Sequence, residues 1–243
     1  MSLDDVRPVR RIRRRDDARY DPDLWPYAVP AVRQLLDAGL DLPAGVTFLV
    51  GENGAGKSTI VEAVAAAAGL NPEGGSRHAR HSTRVSESPL HLALQLVRSA
   101  GSARWGYFLR AETMHGLYTY LEETGSPRRP EPPLHEMSHG ESFLQVLGQH
   151  FDQAGFYVLD EPEAALSFTS CLALVDQLHQ LAAAGAQVLC ATHSPLLTAL
   201  PGCTILELDD DGLHRTTWED LAVVSHWRTY LRDPRVYLRH VLG

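Results

Sequence analysis

The sequence of 243 residues is most unusual in what it has little of, since it contains a single lysine, Lys57. All of its other formal positive charge comes from arginine. Most surface lysines can be exchanged for arginine, but a site that needs a compact ammonium group does not accept the wider, planar guanidinium. The one retained lysine therefore points to a position where the chemistry requires it.

The chain also has few cysteines and no long apolar run. Its three cysteines form no CxxC pair, and Cys171 and Cys190 lie in apolar segments, which favours buried, reduced thiols. No run of about 18 or more apolar residues occurs, and the N-terminal segment is charged rather than signal-like. We therefore expect no membrane segment and a cytoplasmic location.

The formal net charge of −8 argues against a nucleic-acid binder that is basic overall. Arginines nevertheless crowd residues 7–15, and Asp16 and Asp17 follow at once. This stretch fits a docking patch for a phosphate backbone. It also fits the solvated face of an edge strand, where dense charge prevents pairing with other sheets, and we favour this second interpretation.

Short apolar runs alternate with helical segments through most of the chain. Residues 46–50, 156–159 and 187–191 are typical of buried parallel strands. The pattern predicts an α/β fold with a mostly parallel, doubly wound sheet flanked by helices. Ligands of such sheets bind beyond the carboxyl ends of the strands.

The remaining segments complete the prediction. We expect helices at 31–38, 58–68, 90–98, 114–123, 138–151 and 170–184, a strand at 105–109, irregular segments at 71–89 and 125–133, a hairpin joining 204–208 to 213–217, and two short helices at the end.

A glycine-rich motif follows the first buried run and matches G-x-x-x-x-G-K-[ST], the phosphate-loop pattern. It consists of Gly51, Glu52, Asn53, Gly54, Ala55, Gly56, Lys57 and Ser58. The glycines let the backbone approach phosphates, and the helix N-terminus supplies an anion site. In such a loop Lys57 bridges the β- and γ-phosphates, Ser58 binds Mg²⁺, and Thr59 reaches the α-phosphate.

Asp160 and Glu161 end the second buried run. An aspartate in this place can hold hydrated Mg²⁺, and the adjacent glutamate can polarise a water molecule as a general base. An acidic pair followed by Pro162 also fits a solvated turn. The phosphate loop upstream favours the functional interpretation.

Two further motifs have both structural and functional interpretations. The segment 138–141 reads Ser-His-Gly-Glu, which is a helix capping box and equally an N-terminal site for a γ-phosphate. His193 ends the third buried run and is either part of a capped turn or a group that contacts the γ-phosphate. His78 and His81 have a spacing that metal ligands use, but an exposed loop is the favoured interpretation.

Taken in order, these motifs resemble those of ABC-type ATPases. The similar stretch runs from Val46 to Pro195 and includes Asp-Glu-Pro-Glu at 160–163, Ala-Leu-Ser at 165–167 and Ala-Thr-His-Ser-Pro at 191–195. The last motifs are most similar to compact, non-transporter members such as the heads of RecF, SMC and OLD-type proteins, an AAA-like group.

The resemblance implies a role for each matching residue. Ser138, Gly140 and Glu141 would contact the γ-phosphate of a nucleotide held by a second protomer, Glu161 would be the catalytic base, and His193 the switch histidine. Residues 165–167 would form the D-loop. This implies an ATP-dependent head-to-tail homodimer that encloses two ATP molecules.

The sequence departs from the family pattern at several positions. His139, Glu141 and Ser167 replace the usual glycine, glutamine and aspartate, which puts the dimer contacts in question. No glutamine stands at the Q-loop position, where Glu112 is the candidate. The expected adenine-stacking aromatic is one of Tyr20, Trp25 and Tyr27.

The resemblance also implies a domain layout and a function. We expect one ABC-type domain, 1–243, with its core in 40–70 and 152–217, a helical signature region at about 86–151 and C-terminal helices in 218–243. The expected activity is Mg²⁺-dependent ATP hydrolysis that drives a conformational change in an unidentified protein partner. The alternatives are an ABC transporter subunit and an ATP-gated DNA-binding module.

Overall fold

The computed structural model describes residues 6–71, 75–76, 88–110, 145, 147–148 and 153–242. The strands are β1 Arg11–Arg14, β2 Leu40–Asp41, β3 Gly45–Gly51, β4 Gly75–Ser76, β5 Leu94–Val97, β6 Gly106–Arg110, β7 Phe156–Asp160, β8 Gln187–Thr192, β9 Thr204–Asp209 and β10 Gly212–Thr216. The helices are α1 Pro30–Ala38, α2 Lys57–Ala67, α3 Leu90–Ala93, α4 Phe168–Ala183, α5 Ala222–Arg232 and α6 Arg235–Val241. Short 3-10 turns span Pro162–Ala165 and Leu197–Ala199.

The main sheet contains seven strands in the order β10-β9-β3-β8-β7-β6-β4. Its five central strands, from β9 to β6, run parallel to one another. The outer strands β10 and β4 are antiparallel to their neighbours. This confirms the predicted α/β fold with a mostly parallel sheet.

Both faces of this sheet are buried, because successive side chains of its strands point to opposite sides. In β3, Val46, Phe48 and Val50 join the cluster that contains the apolar face of α4. Leu49 joins the opposite cluster with residues of α1 and α2. A strand covered on both faces must be apolar at nearly every position, which explains the continuous apolar runs.

A second sheet of three strands has the order β2-β1-β5 and is antiparallel. The prediction that the arginine-rich segment forms an edge strand is therefore wrong, because β1 is paired on both sides. Some arginines of this segment form ion pairs as well. Arg11 lies 2.7 Å from Asp41, and Arg15 lies 2.9 Å from Asp17.

The partner strand β5 also corrects the helix predicted at 90–98. The helix α3 ends at Ala93, and residues 94–97 form a strand in which Leu96 lies opposite Ile12 of β1. Pairing with β1 buries Leu94 and half-buries Leu96 against the cluster beneath. Tertiary pairing thus overrides a weak local helical preference.

Several other predictions are confirmed in the described part of the chain. The hairpin forms as β9 and β10, and two short helices follow it. Cys171 and Cys190 are free and buried, and burial raises the pKa of each thiol. Among the residues with a described position, none of the helices has the length and apolar character needed to cross a membrane.

Some predicted segments cannot be compared with the structure. The helix at 114–123 and the segment 125–133 lie outside the described residues, as do most of 71–89 and 138–151. Within 138–151, Gln145, Leu147 and Gly148 are described and are helical. The proposed division of the domain into ranges stays a prediction.

The side chain of Gln187 joins the two sheets. It is buried at the start of β8, and its Oε1 accepts the backbone N–H of Val9 at 2.9 Å. Its Nε2 donates to the carbonyl oxygens of Val9 at 2.7 Å and Pro43 at 2.8 Å. One amide therefore satisfies backbone groups just before β1 and just after β2.

We expect Gln187→Leu to destabilise the protein, because it leaves the buried backbone groups of Val9 and the part-buried carbonyl of Pro43 without these partners. A loss of about 2 kcal/mol would lower the melting temperature by roughly 4–8 °C in a domain of this size. Thermal unfolding followed by circular dichroism measures the change. Gln95→Leu is the matched control, since Gln95 is exposed and bonds the side chain of Arg13. Equal melting of both variants would contradict the assigned role of Gln187.

Candidate functional site

Three adjacent strands of the main sheet end in polar residues at the same edge. The strands β3, β8 and β7 are neighbours in that order, so their carboxyl ends lie side by side. In register, Val50 of β3 lies opposite Thr192, and Asp160 of β7 lies opposite Ala191. The phosphate loop, the Asp160-Glu161 pair and His193 are brought together in this way, as the sequence predicted.

The phosphate loop depends on glycine at two positions. A Cβ atom on Gly51 would lie 2.3 Å from the carbonyl oxygen of Leu208, so only glycine fits beside β9. Gly56 has a φ of 98°, in the left-handed region, and a Cβ there would lie 2.9 Å from Val29. These constraints shape the loop so that α2 begins at Lys57, with its N-terminus directed at the loop.

Lys57 is 4% exposed, and its ammonium group lies across the loop. Its Nζ donates to the carbonyl oxygens of Gly51 and Glu52, each at 2.9 Å. Burial lowers the pKa of Lys57, while the nearby carboxylates of Glu161 and Asp160 oppose that shift. A buried cation held by two backbone carbonyls of the loop is suited to bind an anion that approaches the loop.

Asp160 is buried at the end of β7, and burial raises its pKa to about 6. A hydrogen bond with Ser58 and the charge of Arg110 act in the opposite direction. The Asp160 Oδ1 atom is buried and has no hydrogen-bond partner among the described residues. A buried carboxylate oxygen without a donor, next to a serine hydroxyl, is an oxygen pair that suits a hard cation.

Arg110 is a residue of the site that sequence reasoning missed. It ends β6, and its Nε lies 3.4 Å from Asp160 Oδ2. Its Nη2 lies 2.8 Å from Glu62 on α2, so it links β7 to the helix that follows the phosphate loop. The available signal was a charged residue at the end of a buried strand, the same signal that identified Asp160.

Glu161 has a left-handed backbone, with φ 47° and ψ 50°. Among the residues that the structure describes, it is the only one other than glycine with a positive φ. Its N–H donates to the carbonyl oxygen of Ala191 at 3.0 Å. Its Oε1 lies 3.1 Å from the Nε2 atom of His193. Such backbone strain persists where surrounding contacts enforce it, and it is frequent at functional sites.

A cavity of about 150 Å³ lies beside these groups. It is lined by Trp25, Val29, Asn53, Gly54, Gly56, Lys57, Ser58, Thr59 and Glu161. Trp25 is 63% exposed, whereas Tyr27 is 9% exposed and stacks on Tyr20 with a centroid distance of 4.5 Å. Of the three aromatic candidates, Trp25 is thus the one with a face open towards the loop.

Other candidate residues are outside the described part of the chain. This holds for Ser138, Gly140 and Glu141, for Glu112, and for His78 and His81. Near the D-loop position, Ser167 is described and caps α4, because its Oγ accepts the N–H of Ser170 at 3.2 Å.

Comparison with protein families gives two matches. Residues 31–94 match the model of an AAA domain. Residues 101–199 match a model described as an AAA domain, putative AbiEii toxin, Type IV TA system.

Two curated relatives are ATP-binding proteins of sugar import. The ribose import ATP-binding protein RbsA of Roseobacter denitrificans is 29% identical over 187 residues, covering 68% of this chain and 36% of that protein. The arabinose import ATP-binding protein AraG of Ralstonia nicotianae is 26% identical over 220 residues, covering 81% of this chain and 42% of that protein. The chain thus spans well under half the length of these relatives.

Two solved structures are also similar. The SMC head domain from Thermotoga maritima aligns with a TM-score of 0.44 at 15% identity, covering 74% of this chain and 92% of that one. The cbiO1 protein from Clostridium perfringens is part of the ABC transporter complex cbiONQ. It aligns with a TM-score of 0.46 at 15% identity, covering 82% of this chain and 88% of that one. The ordered motifs, the parallel sheet and the sequence matches together make the chain similar to P-loop ATPases of the ABC type.

Proposed function

We propose that this chain hydrolyses ATP with Mg²⁺ at the interface of a head-to-tail dimer, and that hydrolysis changes the conformation of a protein partner. One observation carries the proposal. The phosphate loop, Asp160-Glu161 and His193 converge at three neighbouring strand ends, with Lys57 buried among them. This combination of anion site, acidic pair and histidine suits hydrolysis of the phosphoanhydride bond between the β- and γ-phosphates.

The triphosphate would bind along the loop from residue 51 to residue 59. Backbone N–H groups at the start of α2 and the Lys57 ammonium would bind the β- and γ-phosphates. Glu52, Asn53 and Ala55 contribute backbone to the same loop. Thr59 and Trp25 both line the cavity, so the α-phosphate and the adenine base of ATP would lie on that side.

The residues present fit a bound Mg²⁺ ion. Ser58 and Asp160 would hold it, and the unpartnered Oδ1 of Asp160 is the atom that this role requires. When bound, Mg²⁺ neutralises charge on the phosphate oxygens. Arg110 lies against the other carboxylate oxygen of Asp160 and restrains its orientation.

Glu161 is the proposed general base. Its carboxylate lines the cavity beside the phosphate loop and lies within hydrogen-bond reach of His193. A carboxylate so placed can accept the proton of an attacking water, and a histidine beside it can orient that water or contact the γ-phosphate. The resemblance further proposes that Ser138, Gly140 and Glu141 come from the second protomer and complete the site.

The names of the curated relatives favour a second candidate, an ATP-binding component of an importer. The same nucleotide chemistry would then drive a membrane partner. By contrast, the pairing of Arg11 with Asp41 and of Arg15 with Asp17 weakens the case for the N-terminal arginines as a DNA-docking strand.

We predict that Lys57→Ala abolishes measurable nucleotide binding, because the loop loses its buried cation. Lys57→Arg should also fail, since a guanidinium is too wide to lie between the carbonyls of Gly51 and Glu52. Titration with a fluorescent ATP analogue measures both variants. Arg33→Ala, which removes an exposed cation on α1, is the control. ATP turnover retained by Lys57→Ala would refute the assignment.

We predict that Glu161→Gln lowers the turnover number by roughly 100-fold or more, because the amide is not a base. ATP should still bind and shift this variant from monomer to dimer on a sizing column. Glu219→Gln removes an exposed carboxylate outside the motifs and serves as the control. A Glu161→Gln protein that stays monomeric with saturating ATP would contradict the dimer mechanism.

We predict that Trp25→Ala weakens ATP binding roughly tenfold, as expected for the loss of one base–aromatic stack, with little change in turnover number. Trp25→Phe should restore most of the affinity, and Leu24→Ala, at a neighbouring exposed apolar residue, should change nothing. Binding isotherms for ATP and for inorganic triphosphate separate the two contributions. An equal loss of affinity for triphosphate would show that Trp25 does not stack on the base.

A further inference from the structure

Glu163, the second glutamate of the 160–163 segment, binds the loop that carries His193. Its Oε1 accepts the hydroxyl of Thr192 at 2.6 Å and the backbone N–H of His193 at 2.6 Å. Thr192 Oγ1 in turn accepts the N–H of Ser194 at 2.9 Å. A single carboxylate oxygen thus organises three consecutive residues.

The segment that contains Glu163 contacts His193 a second time. Glu161, immediately before the turn, reaches the Nε2 atom of the ring at 3.1 Å, while Glu163, within the turn, holds the backbone N–H. Ring and backbone of one histidine are therefore both bound to the segment that follows β7. The direction in which the ring can point is restricted by these two contacts together.

The two bonds to Glu163 are short and charge-assisted, which makes them stronger than bonds between neutral groups. Thr192 is fully buried, so its hydroxyl bond forms in surroundings where water competes little. Ser194 adds rigidity, because its Oγ accepts the N–H of Leu196 at 3.2 Å. The loop at 192–196 is thus held at its start by Glu163 and at its end by its own turn.

We propose that Glu163 is a positioning residue for the hydrolysis: it sets the place of His193 relative to Glu161 and acts on the reaction only through His193. This inference rests on the function proposed above. The sequence motifs alone assign no role to this glutamate. The alternative is that Glu163 is a structural staple whose loss changes stability alone.

We predict that Glu163→Ala lowers the turnover number by about 10- to 100-fold, as a misplaced catalytic group does, with little change in KM. Glu163→Gln should recover most of the activity, because its amide oxygen can accept the same two hydrogen bonds. Thr192→Val should show a smaller loss of the same kind. Thr198→Val is the matched control, since it removes another buried hydroxyl, bonded to Ser194 O, that does not contact Glu163.

A double-mutant cycle with His193→Ala isolates the pathway of the effect. If Glu163 acts through His193, then Glu163→Ala causes no further loss of turnover once His193 is alanine. An additional loss of tenfold or more in the double variant would overturn the inference. A purely structural role is revealed when Glu163→Ala lowers the melting temperature while turnover stays at the wild-type value.

Hydrogen–deuterium exchange on the nucleotide-free protein gives a readout that does not depend on turnover. The His193 amide should exchange at least tenfold faster in Glu163→Ala than in the wild type, because its acceptor is gone. Unchanged exchange would overturn this inference and leave the proposed function intact. Wild-type turnover in His193→Ala would instead overturn the role proposed for His193, and this inference with it.

Discussion

The parallel register of β3, β8 and β7 is the constraint on which the site depends. Because Val50 is paired with Thr192 and Ala191 with Asp160, the ends of these three strands lie within two positions of one another in the register. A shift of one residue in either pairing would turn the side chains at that strand end to the opposite face. Both faces are closely packed, so a shift would exchange side chains of different volume between the two clusters, and this packing cost keeps the polar ends together.

The charges at the strand ends agree with the proposed ligand site. Asp160, Glu161 and Glu163 all raise the pKa of the one buried lysine, and burial outweighs them. Glu62 adds a fourth carboxylate beside Arg110, the second cation of the cluster. Four carboxylates around two cations leave an excess of negative charge next to an anion-binding loop. A divalent cation between Asp160 and a phosphate would relieve that excess, which agrees with the unpartnered oxygen on Asp160.

Local sequence patterns predicted the strands whose own residues form a continuous apolar run. The runs at 46–50, 156–159 and 187–191 became β3, β7 and β8, and their polar ends became the site. Non-local pairing could not be predicted in this way. The second sheet exists because residues 94–97 pair with residues about eighty positions earlier, and no local pattern reports such a partner. The contacts of Arg110 and Glu163 could not be predicted for the same reason, since their partners lie on other elements of the fold.

The backbone of Glu161 explains how two glutamates of one short segment reach the same histidine. Side chains two apart on an extended strand would share one face, but the chain turns into a 3-10 turn at Pro162. The left-handed conformation of Glu161 redirects the chain at the end of β7, and its N–H remains bonded to Ala191 of β8. Its side chain can then contact the His193 ring while Glu163 contacts the His193 backbone. Glycine at this position would relieve the strain but supply no carboxylate, so the strain follows from placing a carboxylate there.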